Sequence, residues 1–135
     1  MSAVFADTFY FIALINANDE AHALAAEFAG DASLTLVTTE WVLTELADGL
    51  AETDGRAVFQ QLLEAFASDS RVEIIASDAG LWRRGVELYN TRPDKGWSLT
   101  DCISFVVMTD RKITDALTGD HHFEQAGFVG LLKSS

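Results

Sequence analysis

The chain has one cysteine, Cys102, so no internal disulfide can form. One proline and nine scattered glycines in 135 residues leave no room for a long flexible linker. No apolar run approaches the roughly 18 residues that a membrane span needs. No basic region precedes a hydrophobic stretch at the N-terminus, so a secretory signal is not expected. These absences predict a protein of a reducing cytoplasm with no membrane association. Positive charge is scarce as well: 21 acids stand against nine bases, for a net charge of −12. That balance argues against broad attraction to nucleic acid or anionic lipid. Any nucleic-acid role must run through a local basic patch or a bound metal. The same balance suits solubility or a salty cytoplasm.

What is present is a 49% hydrophobic chain, enough to bury a core in one domain spanning residues 1–135. Short apolar runs alternate with helical periodicity. Strands are expected at 3–6, 34–39, 71–77, 113–118 and 127–132. Helices are expected at 8–16, 19–31, 40–50, 55–69, 78–90, 98–111 and 120–126. The order β-α-α-β-α-α-β-α-α-β-α-β predicts a parallel, doubly wound α/β sheet. In the helix at 40–50, Trp41, Leu43, Leu46 and Leu50 fall near one side.

The helix at 98–111 poses a question. From Ile103 to Met108 it is apolar except for Ser104, so it reads as buried on most sides, yet Asp101 sits in its first turn. Ser98 and Asp101 have the spacing of a capping box, which is one answer. The other comes from sheet topology. Ligands bind beyond the carboxyl ends of parallel strands. Asp7 directly follows the first strand, Asp120 follows the fourth, Asp101 opens the buried helix just before the fourth, and Glu45 lies early in the helix after the second. Asp7 and Asp120 could equally be N-caps, and Glu45 a solvated side chain. Together, four converging acids would repel one another unless a cation neutralised them. Oxygen ligands select hard ions, Mg²⁺ or Mn²⁺. Zinc is not expected, since no C-x-x-C or H-E-x-x-H occurs. His121 and His122 beside Asp120 could contact substrate or a carboxylate, or simply pack at the rim. Asp115, early in the fourth strand, reads as a rim or surface residue. Cys102 points away from Asp101 on the helix and is expected in the core.

Other chemistries find no motif. There is no G-x-x-x-x-G-K-[ST] loop, no G-x-G-x-x-G and no G-x-S-x-G. An aspartyl phosphotransferase usually carries a second Asp two residues after the first; that position is Phe9.

Four segments carry a resemblance: F-A-D-T near the start, T-E-L-A around Glu45, S-L-T-D-C-I-S-F at 98–105 and L-T-G-D-H-H-F-E-Q-A-G-F at 117–128. In this order and spacing the chain resembles the PIN-domain proteins, of the kind found as VapC-type toxins of bacterial toxin–antitoxin pairs. The resemblance implies a three-layer α/β/α fold with a central, mostly parallel sheet of four to five strands. It implies a metal-dependent ribonuclease with one or two Mg²⁺ or Mn²⁺ ions held by Asp7, Glu45, Asp101 and Asp120. Thr8 and Thr118 match the supporting hydroxyl positions. A cytoplasmic homodimer and a small antitoxin are implied as well. Alternatives are a non-catalytic protein-binding member or an RNA-processing nuclease without toxic role. Two divalent ions would bring −12 only to −8, so RNA must find local cations. Arg83, Arg84, Arg92 and Lys95, with Arg111 and Lys112, are the candidates, each of which could instead be a solvated surface charge.

Overall fold

The computed structural model describes residues 2–133, apart from the Thr53 side chain. Its elements follow the expected order: β1 (Ser2–Ala6), α1 (Thr8–Ile15), α2 (His22–Ala29), β2 (Leu34–Thr39), α3 (Glu40–Gly49), α4 (Thr53–Ala67), β3 (Val72–Ile75), α5 (Ala79–Thr91), α6 (Leu99–Arg111), β4 (Asp115–Leu117), α7 (His121–Gln125) and β5 (Val129–Gly130). The five strands form one sheet in the order β3-β2-β1-β4-β5, and every pairing is parallel. The helices cover both faces, giving three layers.

The chain winds outward from β1 to β2 to β3, then returns to lay β4 against the other side of β1. The order reverses between β1 and β4, where Phe5 pairs with Ala116 and Ala6 with Leu117. Crossovers leaving in opposite directions open a crevice at such a point. Burial fixes the two strands that frame it. Val4, Phe5 and Ala6 of β1, and Ala116 and Leu117 of β4, are buried.

Helix α6 anchors one layer. Its residues from Asp101 to Met108 are all buried. Gly85 allows α5 to approach: a Cβ there would overlap the Ile103 side chain. Cys102 is fully buried, and burial pushes its thiol up to about 11. It packs in the core as expected, as a buried thiol that stays protonated.

Four details differ from the sequence reading. Helix α3 buries Val42, Leu43 and Leu46, while Trp41 is only half-buried. The Thr39 hydroxyl caps the helix by accepting from Val42 N–H. Strand β4 is shorter than expected. Lys112 adopts a left-handed cap (φ 56°) and Ile113 N–H bonds back to Met108, so pairing begins only at Asp115. Asp115 therefore opens β4 at its amino end, early in the strand as expected, but half-buried and not a surface residue. Strand β5 shrinks to two residues because Gly127 (φ 98°) turns the chain and Phe128 N–H bonds to Phe123.

Candidate active site

Asp7 is the first residue past β1. It occupies the N-cap position of α1, but its carboxylate makes no capping hydrogen bond. Instead Oδ2 accepts from Thr118 Oγ1 at 2.8 Å, across the β1–β4 crevice. Only 5% of Asp7 is exposed. Burial pushes its carboxyl up to about 7. The Thr118 hydroxyl and the Thr8 backbone N–H pull the other way, and the charges of Asp101 and Glu45 push it further up. A carboxyl of this kind takes up a proton near neutrality unless a cation balances it.

Thr118 is fully buried and works twice. Besides donating to Asp7, its Oγ1 accepts from Asp120 N–H at 3.0 Å. Asp120 then caps α7, its Oδ1 accepting from His122 N–H at 2.9 Å. The capping reading of Asp120 thus holds: it starts α7 where β4 has just ended.

Asp101 also does two things. The capping box forms, with Asp101 N–H donating to Ser98 Oγ at 3.0 Å and Ser98 N–H to Asp101 Oδ2 at 3.2 Å. The same Oδ2 lies 3.0 Å from His122 Nδ1. Of the two histidines it is His122 that reaches Asp101, while the His121 side chain is 71% exposed and lies 3.6 Å from Asp120 alone. Nothing in the sequence distinguishes the two neighbours; the start of α7 at Asp120 does.

Glu45 is exposed as a residue, but its carboxylate is held. Thr8 Oγ1 donates to Oε1 at 2.5 Å, tying α3 to α1. The result is a connected run around the crevice: Glu45 to Thr8, Asp7 to Thr118 to Asp120, and Asp120 through His122 to Asp101. The four acids named from the sequence line one rim. They do not close on a common point. Among the described residues, only Asp120, His121 and His122 bring three ligand atoms within 4.8 Å of one another.

The chemistry of the donor set fits a hard divalent cation. Asp7, Asp101, Asp120 and Glu45 offer oxygen alone, and the Asp7 carboxyl is raised mainly by burial, with the charges of Asp101 and Glu45 adding to it. Rigid carriage by two helix starts and a strand end holds the oxygens where an ion could draw them together.

The basic candidates are placed less favourably. Arg84 makes a two-pronged pair with Asp110, at 2.6 and 2.8 Å, and Arg111 does the same with Glu73, at 2.9 and 2.7 Å. Asp110 is nine residues beyond Asp101 on α6, about 13 Å along the axis. Arg92 pairs with Asp94 and stands over the Trp97 ring, 5.3 Å from its centroid, and Lys95 reaches the same Asp94. Among the described residues Arg83 and Lys112 form no ion pair. Trp97 Nε1 donates to Gln125 at 3.0 Å, which moors the 92–97 loop to the last residue of α7. A contact that sequence reasoning did not find is that of Glu40, which accepts from both the N–H and the hydroxyl of Ser77, 37 residues away.

Comparison with known proteins gives one family. A family model for the PIN domain matches residues 4–129. The chain is 30% identical over 127 residues to a 23S rRNA-specific endonuclease, VapC20, of Mycobacterium tuberculosis, covering 93% of this chain and 95% of that protein. The crystal structure of the M. tuberculosis VapC20, described as a sarcin–ricin loop cleaving toxin, superposes with a TM-score of 0.82 at 27% identity over 93% of this chain and 96% of that one. VapBC2 from Rickettsia felis, bound to a DNA fragment from its promoter, shares the fold at a TM-score of 0.65 and 20% identity, over 94% and 96% of the two chains.

Proposed function

Because the chain belongs to the PIN-domain family, we propose that it is a divalent-metal-dependent endoribonuclease and the toxin of a toxin–antitoxin pair. The observation that carries the reading is Asp7: a buried carboxylate, raised to about 7, tied to Thr118 across the strand-order reversal and acted on by the charges of Asp101 and Glu45. Asp7, Asp101 and Asp120, with Glu45, would hold one or two Mg²⁺ or Mn²⁺ ions. When bound, such an ion lowers the pKa of a water and offsets charge gathering on a phosphodiester.

The chain's own groups do the rest. Thr118 fixes the Asp7 carboxylate and leaves its second oxygen for the ion. The Ser98–Asp101 box and the buried body of α6 hold Asp101 at one height. Thr8 orients Glu45, which is the acid best exposed to receive a proton from a nucleophilic water. His122 keeps Asp101 and Asp120 near each other. RNA meets the rim against a net charge of −12, so its phosphates must be met by the ion and by Arg83, Arg92 and Lys95. Binding is therefore expected to weaken steeply with salt. The acidic rim also suits a basic antitoxin segment. A homodimer and a cytoplasmic location complete the proposal; no helix among the described residues is long and apolar enough to cross a membrane.

The test is cleavage of a labelled RNA panel that includes the sarcin–ricin loop of 23S rRNA, the substrate named for the Mycobacterium relative. Purified protein is assayed with Mg²⁺, with Mn²⁺ and with chelator, beside Asp7→Asn and Asp101→Asn. Metal-dependent cutting that both substitutions abolish is the expected result. Cutting that survives both would sink the assignment of the site.

A further inference from the structure

We propose that Asp120, His121 and His122 form a second, nitrogen-rich metal site, suited to Zn²⁺ or a similar borderline ion, whose filling switches off the acidic site beside it. Nothing in the four-carboxylate reading requires His121. Yet one ligand atom from each of these three residues lies within 4.8 Å of the other two, the only such set among the described residues. His121 Nδ1 and His122 Nδ1 stand 3.6 and 3.5 Å from the same Asp120 oxygen, and the two rings lie 4.5 Å apart, centre to centre. Ligands around a four-coordinate zinc, with bonds of about 2.0–2.1 Å, sit roughly 3.4 Å from one another. His121 Nδ1 is thus near that spacing from Asp120, and His122, whose Nδ1 is held by Asp101, would complete the set through Nε2.

The ligand chemistry differs in kind from that of the rim. Two imidazoles and one carboxylate favour zinc, copper or nickel over magnesium. A further feature has the form of a second shell. Asp101 lies 3.0 Å from His122 Nδ1. A carboxylate in that position fixes the ring and leaves the Nε2 lone pair for a metal. The local structure is prepared as well, since Asp120 caps α7 and so sets both histidines on its first turn.

The consequence follows from sharing. Zinc on this trio takes Asp120 directly and holds Asp101 through His122, so two of the four rim acids are withdrawn from the hard ion. Zinc is then an inhibitor that acts beside the catalytic site. The inhibition rests on the nuclease reading; the binding does not.

Zn²⁺ binding is measured by calorimetry on the wild type and on His121→Ala, with Co²⁺ absorption as a spectroscopic check and Mn²⁺ binding by paramagnetic resonance. The wild type is expected to bind one Zn²⁺ and to give Co²⁺ bands of a nitrogen-ligated site. His121→Ala should weaken Zn²⁺ by at least about tenfold, leave Mn²⁺ binding and zinc-free cleavage unchanged, and raise the zinc concentration that inhibits. Zn²⁺ affinity unchanged in His121→Ala would overturn the proposal, because zinc would then be held without His121. If the protein cleaves no RNA under any condition, the calorimetry and Co²⁺ spectra still decide the site.

Discussion

Helix α6 carries an aspartate near each end, and the two live differently. Asp110, near the last turn, is largely exposed and gripped by both Nη atoms of Arg84, which holds its carboxyl below the usual range. Beside it, Arg111 and Glu73 make a second such pair. Asp101, in the first turn, is 8% exposed and has no arginine or lysine within ion-pair distance. Its neighbours are a capping serine, a histidine and the charge field of Asp7. Acids at the far end are matched by arginine; acids at the rim are left unmatched where burial makes that costly. A surface that merely needs solubility places unmatched acids in water. Unmatched acids in a crevice are what the proposed cation site requires.

That contrast can be broken from the rim first. Asp101→Asn and Asp7→Asn should each lower RNA cleavage by on the order of 100-fold or more, as measured by single-turnover assay. Activity that persists in both would remove the distinction between the two ends.

Next in size is the pH behaviour of metal-free protein. Asp7 keeps its proton up to about 7 when folded, against 3.8 for the ordinary group. The unfolded chain gives that proton up earlier, so stability falls as pH rises between those values and levels off above. The loss is at most about 4 kcal/mol. Asp7→Asn should flatten this slope and make the metal-free protein more stable than wild type at pH 8. Denaturant titrations in chelator at pH 5 and pH 8 read this directly, and equal slopes in both proteins would contradict it.

Thr118→Val sharpens the same point. The Thr118 hydroxyl lowers the Asp7 carboxyl, so removing it should raise that group further. The pH midpoint of Mn²⁺ binding should then move upward, with weaker binding at pH 7. A midpoint that stays put would mean that Thr118 only supports the Asp120 turn.

The smallest effect belongs to the other end of α6. Glu73→Gln breaks the pair with Arg111 and should cost under about 1 kcal/mol of stability, since both partners are largely exposed. Cleavage should not change. A large loss of activity would mean that the basic pairs serve the substrate after all.

The two ends also show what was legible before the fold was known. Ser98 and Asp101 announce a helix start by spacing alone, because capping is settled within one turn. Asp110 and Arg84 announce nothing, since their partnership depends on α5 lying against α6, with Gly85 permitting the approach. The same holds at the rim. Asp7, Glu45, Asp101 and Asp120 could be named from their positions after strands and at helix starts. That Asp7 leaves its own helix uncapped to meet Thr118, 111 residues away, could not.

The sequence by itself determined the order of elements, the buried character of α6, the local caps and the supply of acids, because periodicity and capping act over a few residues. Tertiary structure alone decided the rest. It chose which strands stand together, so the reversal falls between β1 and β4. It chose His122 over His121 as the partner of Asp101, and it spent Arg84 and Arg111 on distant acids. It also raised the Asp7 carboxyl, since desolvation and the fields of other charges depend on everything packed around a group and not on its neighbours in the chain.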